Sequence, residues 1–236
     1  MSQWVLEAAC SHQGPEPLRI LDFGCGRGDD LGMIAENLKH HGIQKFELYG
    51  IECFAPSASE SQKKGIQVSA ANIESECFPY SDGFFDVVLS NQTIEHTKEI
   101  FWIFSEVSRV LKAGGLVLTG VPNLASFHNR LLLLFGRQPT SIELLGPHVR
   151  GITAPSFRQF LQTDGYFQVN EIRGGHFYPF PRILAQILSR LFPGASASLF
   201  IKAQRTRKAG LFLEVLNSRF FETPYFTGRG TSQAKI

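Results

Sequence analysis

From residue 19 onward, short apolar runs take turns with stretches whose apolar positions recur every three or four residues. Residues 19–23 are a strand signal and 29–41 a helical one; residues 46–51 predict a second strand, 55–64 a helix and 67–70 a short third strand. Residues 86–90 read as a buried fourth strand, 99–110 as an amphipathic helix, and 116–121 as a fifth strand entered through Gly114 and Gly115. Alternation of this kind predicts an α/β fold with a mainly parallel sheet covered on both faces. After Pro122 the rhythm changes. Residues 124–135 look helical and lead into an irregular Gly/Pro-rich stretch up to Pro155, so an insertion is expected after strand 5. Residues 156–163 are helical again, 167–173 and 198–203 predict two more strands, and 181–192 make a basic amphipathic helix between them. The tail from 210 to 236 holds an apolar segment, 211–216, then a polar end expected to fray.

A length of 236 residues suits one large domain with an elaboration. The net charge of +2 conceals an asymmetry. Residues 1–100 carry seven Lys/Arg against fifteen Asp/Glu, and residues 101–236 carry sixteen against six. A basic second half suits an anionic acceptor, an anionic lipid surface or nucleic acid, although arginines scattered over solvated helices give the same count. No run approaches the ~18 apolar residues of a membrane span, and the start lacks the basic region and apolar stretch of a signal peptide, so a cytoplasmic protein is expected. The cysteines, Cys10, Cys25, Cys53 and Cys77, form no Cys-x-x-Cys pair and have no histidines at ligand spacing. Reduced thiols and no metal site are the expectation.

The first strand–helix turn reads Leu21-Asp22-Phe23-Gly24-Cys25-Gly26-Arg27-Gly28-Asp29. Glycines there allow a tight turn and bring backbone N–H groups close to a ligand at a helix start. Glu52 ends the next strand, where a carboxylate can accept hydrogen bonds from two ribose hydroxyls. The glycine spacing is Gly-x-Gly-x-Gly after an acidic residue, unlike the Gly-x-Gly-x-x-Gly of dinucleotide-binding enzymes, which makes a nicotinamide-dependent oxidoreductase the second choice.

With Asp22 ahead of it, this segment resembles motif I of the class I S-adenosylmethionine-dependent methyltransferases, in the branch called methyltransferase type 11. The likeness continues through Phe78–Val88, the Asn91-Gln92-Thr93-Ile94-Glu95-His96 loop and Leu111-Lys112-Ala113-Gly114-Gly115, and spans about residues 19–205. It implies a Rossmann-like seven-stranded sheet whose last strand is antiparallel. It also implies a cofactor-binding half (1–122), a substrate and lid half (123–205) and a C-terminal extension (206–236). By the same resemblance Asp22, Gly24, Gly26 and Gly28 frame the methionine part of S-adenosylmethionine, Glu52 its ribose, and Asn72 and Ile73 lie beside its adenine, with Cys25, Cys53 and Asn91 among the cofactor contacts. Asn72 stands where the family commonly has Asp; its carbonyl oxygen still accepts a hydrogen bond, without the charge.

Methyl transfer is an in-line displacement that asks for alignment, exclusion of water and, for a hydroxyl or amine acceptor, a general base. His96 and His148 are the candidate bases, ahead of His128 and His176; Gln92, His128, Arg150 and Tyr178 are the candidate acceptor contacts. Two readings stay open at several of these positions. Glu95 and His96 either face the reacting methyl or hold the loop before the next helix. His148 and Arg150 either contact the acceptor, the Arg by a bidentate grip, or pin their loop to the sheet. About eighteen residues precede the first strand, where many relatives carry extra helices, so a lid is expected mostly from 123–155, the aromatic stretch 176–181 and the helix behind it. That helix either packs as an ordinary crossover or lies on a membrane or lipid-linked acceptor. The expected reaction is O- or N-methylation of a small-molecule or glycan-like anionic acceptor. The alternatives are a catalytically silent methyltransferase-like binding protein and, less favoured, the oxidoreductase or a nucleic-acid methyltransferase; the last lacks an Asn-Pro-Pro-aromatic tetrad after strand 4.

Overall fold

The computed structural model describes residues 1–219, 221 and 223–228. Seven strands, β1 (Leu18–Phe23), β2 (Phe46–Ile51), β3 (Gln67–Ser69), β4 (Phe85–Asn91), β5 (Leu111–Pro122), β6 (Phe167–Gly175) and β7 (Ser198–Arg205), form one sheet in the order β3-β2-β1-β4-β5-β7-β6. The first five run parallel, and β7 is antiparallel to both β5 and β6. The expected Rossmann-like sheet is therefore present. Its central strands are apolar nearly throughout because helices bury both faces: Leu21, Phe23, Val88 and Val117 face one core, Ile20, Leu48, Val87 and Leu118 the other.

Helices α2 (Asp29–His40) and α3 (Ala55–Lys63) follow β1 and β2, α4 (Ile100–Val110) precedes β5, and α6 (Ala154–Gln162) precedes β6. These bounds lie within two residues of those expected. Two elements differ. Strand β5 begins at Leu111, not at residue 116, because Leu111 pairs with Phe85 and the strand is irregular between Phe85 and Val87. A ten-residue helix, α1 (Ser2–Ser11), fills the stretch before β1 that was expected to contribute little. It has no side-chain cap and no charged residue in its end turns, so nothing local announces it. Its stability is tertiary: Trp4 is buried, its Nε1 donates to Glu171 Oε2 at 2.8 Å, and the Arg173 guanidinium and Lys202 ammonium lie over its ring.

After β5 the insertion carries α5 (Phe127–Leu134), shorter than residues 124–135 because Asn123 builds a turn first. Asn123 is fully buried; its Oδ1 accepts from Ala125 N, and its Nδ2 donates to the Gly194 and Ser196 carbonyls. One amide thus ties the insertion to the β6–β7 connection. That connection carries α7 (Arg182–Leu191), of which only Ala185 and Ser189 are buried. The crossover packing favoured from the sequence uses a narrow seam, and the apolar face remains outside: Ile183 is 77% exposed, and Leu184, Ile187 and Leu191 are exposed too.

The C-terminal extension is docked along much of its length. Phe212 and Val215 are buried against α4; Tyr225 meets Phe101 edge-on, Phe226 meets Trp102, and Phe226 N donates to Glu99 Oε2. The fraying expected of the polar end therefore does not extend to these residues; residues 229–236 lie outside the described ones.

Candidate functional site

The parallel strands end together at the carboxyl edge of the sheet, and β1 lies where the strand order reverses, between β2 and β4. Ligands of open α/β sheets bind at that point. Here β1 delivers Asp22, and the chain turns through Gly24, Gly26 and Gly28, all with positive φ, into α2. Gly24 is compelled twice, by φ +71° and because a Cβ would lie 2.5 Å from the Thr93 methyl. At Gly26 (φ +54°) a Cβ would meet nothing within 4 Å, so the turn opens there onto free space. The Gly26 N–H donates to Glu52 Oε2 at 3.0 Å, and Phe54 N donates to Glu52 Oε1 at 2.8 Å. Glu52 thus holds the turn while each carboxylate oxygen keeps lone-pair capacity for a further donor.

Asp22 is 2% exposed, and its Oδ1 has no hydrogen-bond partner among the described residues. Burial, reinforced by the negative charges of Asp30 and Glu52, pushes its carboxyl well above the usual carboxylate range. Asn91 Nδ2 donates to Asp30 Oδ2 at 2.9 Å while its Oδ1, also buried, has no partner. Three carboxylates therefore converge on the open side of the turn, where two buried acceptors, Asp22 Oδ1 and Asn91 Oδ1, are unsatisfied among the described residues. This is an environment for a cation. A ligand carrying an ammonium and a sulfonium fits it; a pyrophosphate would be repelled.

Cys25 turns its thiol away, toward Gly50 and Ser61, and burial pushes it up to about 12, so only its backbone faces the turn. Cys53 is exposed. Asn72 Oδ1 accepts from Glu74 N at 3.0 Å, leaving its second lone pair, and Ile73 packs on the core edge. Sequence reasoning passed over Asp30, whose place beside Asp22 depends on the angle between α2 and β1, and Thr119, whose buried hydroxyl, like that of its strand partner Ser90, is unpartnered among the described residues.

Beyond β4 the chain enters a tight loop. Gln92 takes φ +55°, unusual for a side-chain-bearing residue, and its N–H donates to Gly120 O at 2.8 Å. A short 3-10 turn, Ile94–His96, follows. The Glu95 carbonyl accepts from Val149 N (2.9 Å) and Arg150 N (3.2 Å), which docks the insertion loop on this turn and sets the His96 and His148 rings edge to face, 4.7 Å between centroids. The backbone of Glu95 pins the loop, while its carboxylate is 1% exposed with neither oxygen hydrogen-bonded among the described residues. Arg150 Nη2 donates to the Lys98 carbonyl at 2.8 Å, a pinning contact. His128 forms a second group with Tyr178, their rings 5.4 Å apart. Its two nitrogens meet Ser126 Oγ and Thr140 Oγ1, and burial lowers its pKa.

Comparison with known proteins agrees with this architecture. Residues 21–119 match the family model described as a methyltransferase domain. A Mycolicibacterium smegmatis protein named a "probable S-adenosylmethionine-dependent methyltransferase" is 26% identical over 66% of this chain and 54% of its own length. The mouse mitochondrial ubiquinone biosynthesis O-methyltransferase is 25% identical over 75% of this chain and 49% of its own. The chain thus spans about half the length of these curated relatives. An S-adenosylmethionine-dependent methyltransferase from Mesorhizobium loti shares the fold, with a TM-score of 0.56 at 17% identity over 87% of this chain and 98% of that one. Residues 21–119 thus match a methyltransferase domain, and the sheet that holds them has the fold of solved S-adenosylmethionine-dependent methyltransferases.

Proposed function

We propose that this chain transfers a methyl group from S-adenosylmethionine to an oxygen or nitrogen of a small acceptor. The observation that carries the reading is the buried, unpartnered Asp22 carboxylate in a group of three carboxylates beside the open Gly26 turn. When bound, the cofactor supplies an electrophilic methyl group on a sulfonium. Asp22 and the N–H groups of the turn would hold its amino-acid end, Glu52 its ribose hydroxyls, and Asn72 and Ile73 its adenine. The Gln92–His96 loop would wall the acceptor side, with the paired His96 and His148 rings the candidates to take the acceptor's proton when no cation holds them.

The surroundings favour an acceptor with an apolar body and an anionic group. Leu144, Leu145 and Val149 are exposed on the loop that carries His148, as are Phe127, Tyr178 and Phe180 around His128. Residues 123–142 and 174–194 contain Arg130, Arg137, Arg182 and Arg190 and no Asp or Glu. A lipid-linked acceptor, met at an anionic membrane surface, combines these features, and a relative named for ubiquinone biosynthesis is consistent with one.

Calorimetric titration with S-adenosylhomocysteine tests the cofactor assignment. Wild-type protein is expected to bind in the micromolar range, and Gly26→Arg, which fills the open turn, and Glu52→Ala are both expected to lose binding. A well-folded wild type that binds nothing would leave a methyltransferase-like binding protein as the reading.

A further inference from the structure

Glu95, His96 and His148 each offer a ligand atom, and these atoms lie within 4.8 Å of one another. Two segments far apart in sequence bring them together, the turn after β4 and the insertion loop. The hydrogen bonds around them fix which atoms are available. His148 Nδ1 lies 3.0 Å from the Ser141 carbonyl oxygen, and His96 Nδ1 lies 3.3 Å from that of Pro147. A carbonyl has no proton to give, so in both neutral rings Nδ1 is the donor and Nε2 carries the lone pair. An imidazole anchored through Nδ1–H to a carbonyl, with Nε2 directed into a shared space, is the arrangement found behind metal-bound histidines. The third member is a carboxylate that is 99% buried, has neither oxygen hydrogen-bonded among the described residues, and lies beside the two imidazoles, its Oε1 4.0 Å from His96 Nε2. An unpaired buried carboxylate is costly, and a cation shared with two imidazoles relieves that cost.

We propose that Glu95, His96 and His148 bind a divalent first-row transition cation, with Zn2+ as the natural probe, through one carboxylate oxygen and the two Nε2 atoms. Two nitrogens and one carboxylate are a donor set for such ions and a poor one for Ca2+ or Mg2+, which favour oxygen. Tetrahedral coordination at Zn–N of ~2.0 Å puts ligands about 3.3 Å apart, so the three side chains draw together on binding by small rotamer adjustments. Three protein ligands leave at least one position open. It faces the acceptor side of the candidate site, where an acceptor oxygen bound to the cation would be held and its acidity raised. The proposal departs from the expectation, drawn from cysteine and histidine spacing, of no metal site; spacing does not register Glu95-His96 and His148, which meet only through the fold.

The consequence for the acceptor rests on the methyl-transfer reading; the binding of the ion does not, so the two can fail separately. Tag-free protein, stripped with chelator, is titrated with Zn2+ in a calorimeter without cofactor, and with Co2+ in a spectrophotometer. One equivalent per chain and a visible Co2+ absorption are expected. Glu95→Gln and His148→Ala are each expected to abolish stoichiometric binding while the calorimetric affinity for S-adenosylhomocysteine stays as in wild type. His12→Ala, in a histidine remote from the cluster, should bind Zn2+ like wild type. Absence of stoichiometric binding to folded wild type, or binding that both cluster variants retain, overturns the proposal.

Discussion

Asp22 shows how one side chain can be kept at a cost. Its folded carboxyl holds a proton more tightly than in the unfolded chain, so this group lowers stability as pH rises from about 4 toward the raised folded value, and the loss persists above it. Asp22→Asn removes the penalty with little change of shape. At neutral pH it is expected to raise the Tm of the ligand-free protein by about 2–4 °C, the shift that ~1 kcal/mol produces in a chain of this size, while abolishing binding of S-adenosylhomocysteine. Thermal melts with and without ligand check both halves; a lower Tm for the variant would mean that Asp22 supports the fold and not the ligand. Asp22, Gly24, Gly26, Gly28 and Glu52 were legible in the sequence because their spacing is local to one strand–turn–helix and the next strand end. Asp30 and the pairing of Glu95-His96 with His148 were not, since they arise from helix angle and loop docking.

At the scale of elements, legibility followed the source of stability. Helix α2 is periodic, acidic in its first turn and basic in its last, and was readable within one residue. Helix α1 has none of these signals and depends on Trp4, whose partners Glu171, Arg173 and Lys202 lie on β6 and β7. Trp4→Ala should therefore cost about 3–5 kcal/mol, as removal of a buried aromatic does, measured by denaturant unfolding; a loss below about 1 kcal/mol would mean that α1 packs independently of its tryptophan. Helix α7 makes the opposite case. Its outer residues contribute little to the fold, so the double variant Ile183→Glu, Ile187→Glu should change stability by no more than about 1 kcal/mol in total. The same variant should lose co-sedimentation with vesicles containing anionic lipid, which wild type is expected to show. Wild type that ignores such vesicles but elutes as a dimer would assign this face to a second copy of the chain.

The whole molecule divides its labour by charge. The acidic first half gathers carboxylates around the turn that suits a cationic cofactor, and the basic second half carries arginines and exposed apolar side chains on the insertion and α7. That division was visible in composition, and the mainly parallel seven-stranded sheet with its antiparallel last strand followed from the alternation together with the family resemblance. Of the C-terminal extension only the apolar segment 211–216, with the buried Phe212 and Val215, was readable; Tyr225 and Phe226 were not, because they are single aromatics spaced without period against α4.

The place of β7 has a consequence for synthesis on the ribosome. Among the described residues it is the last strand made, yet it lies between β5 and β6, and β6 has no other neighbour there in the sheet. The nascent chain can assemble its first five strands as they emerge, but β6 and the apolar segment that follows it must wait as unpaired polymer for residues 198–205. A message interrupted inside that interval yields no shortened enzyme. It yields a cofactor half with the long edge of β5 exposed, a template for pairing with other chains.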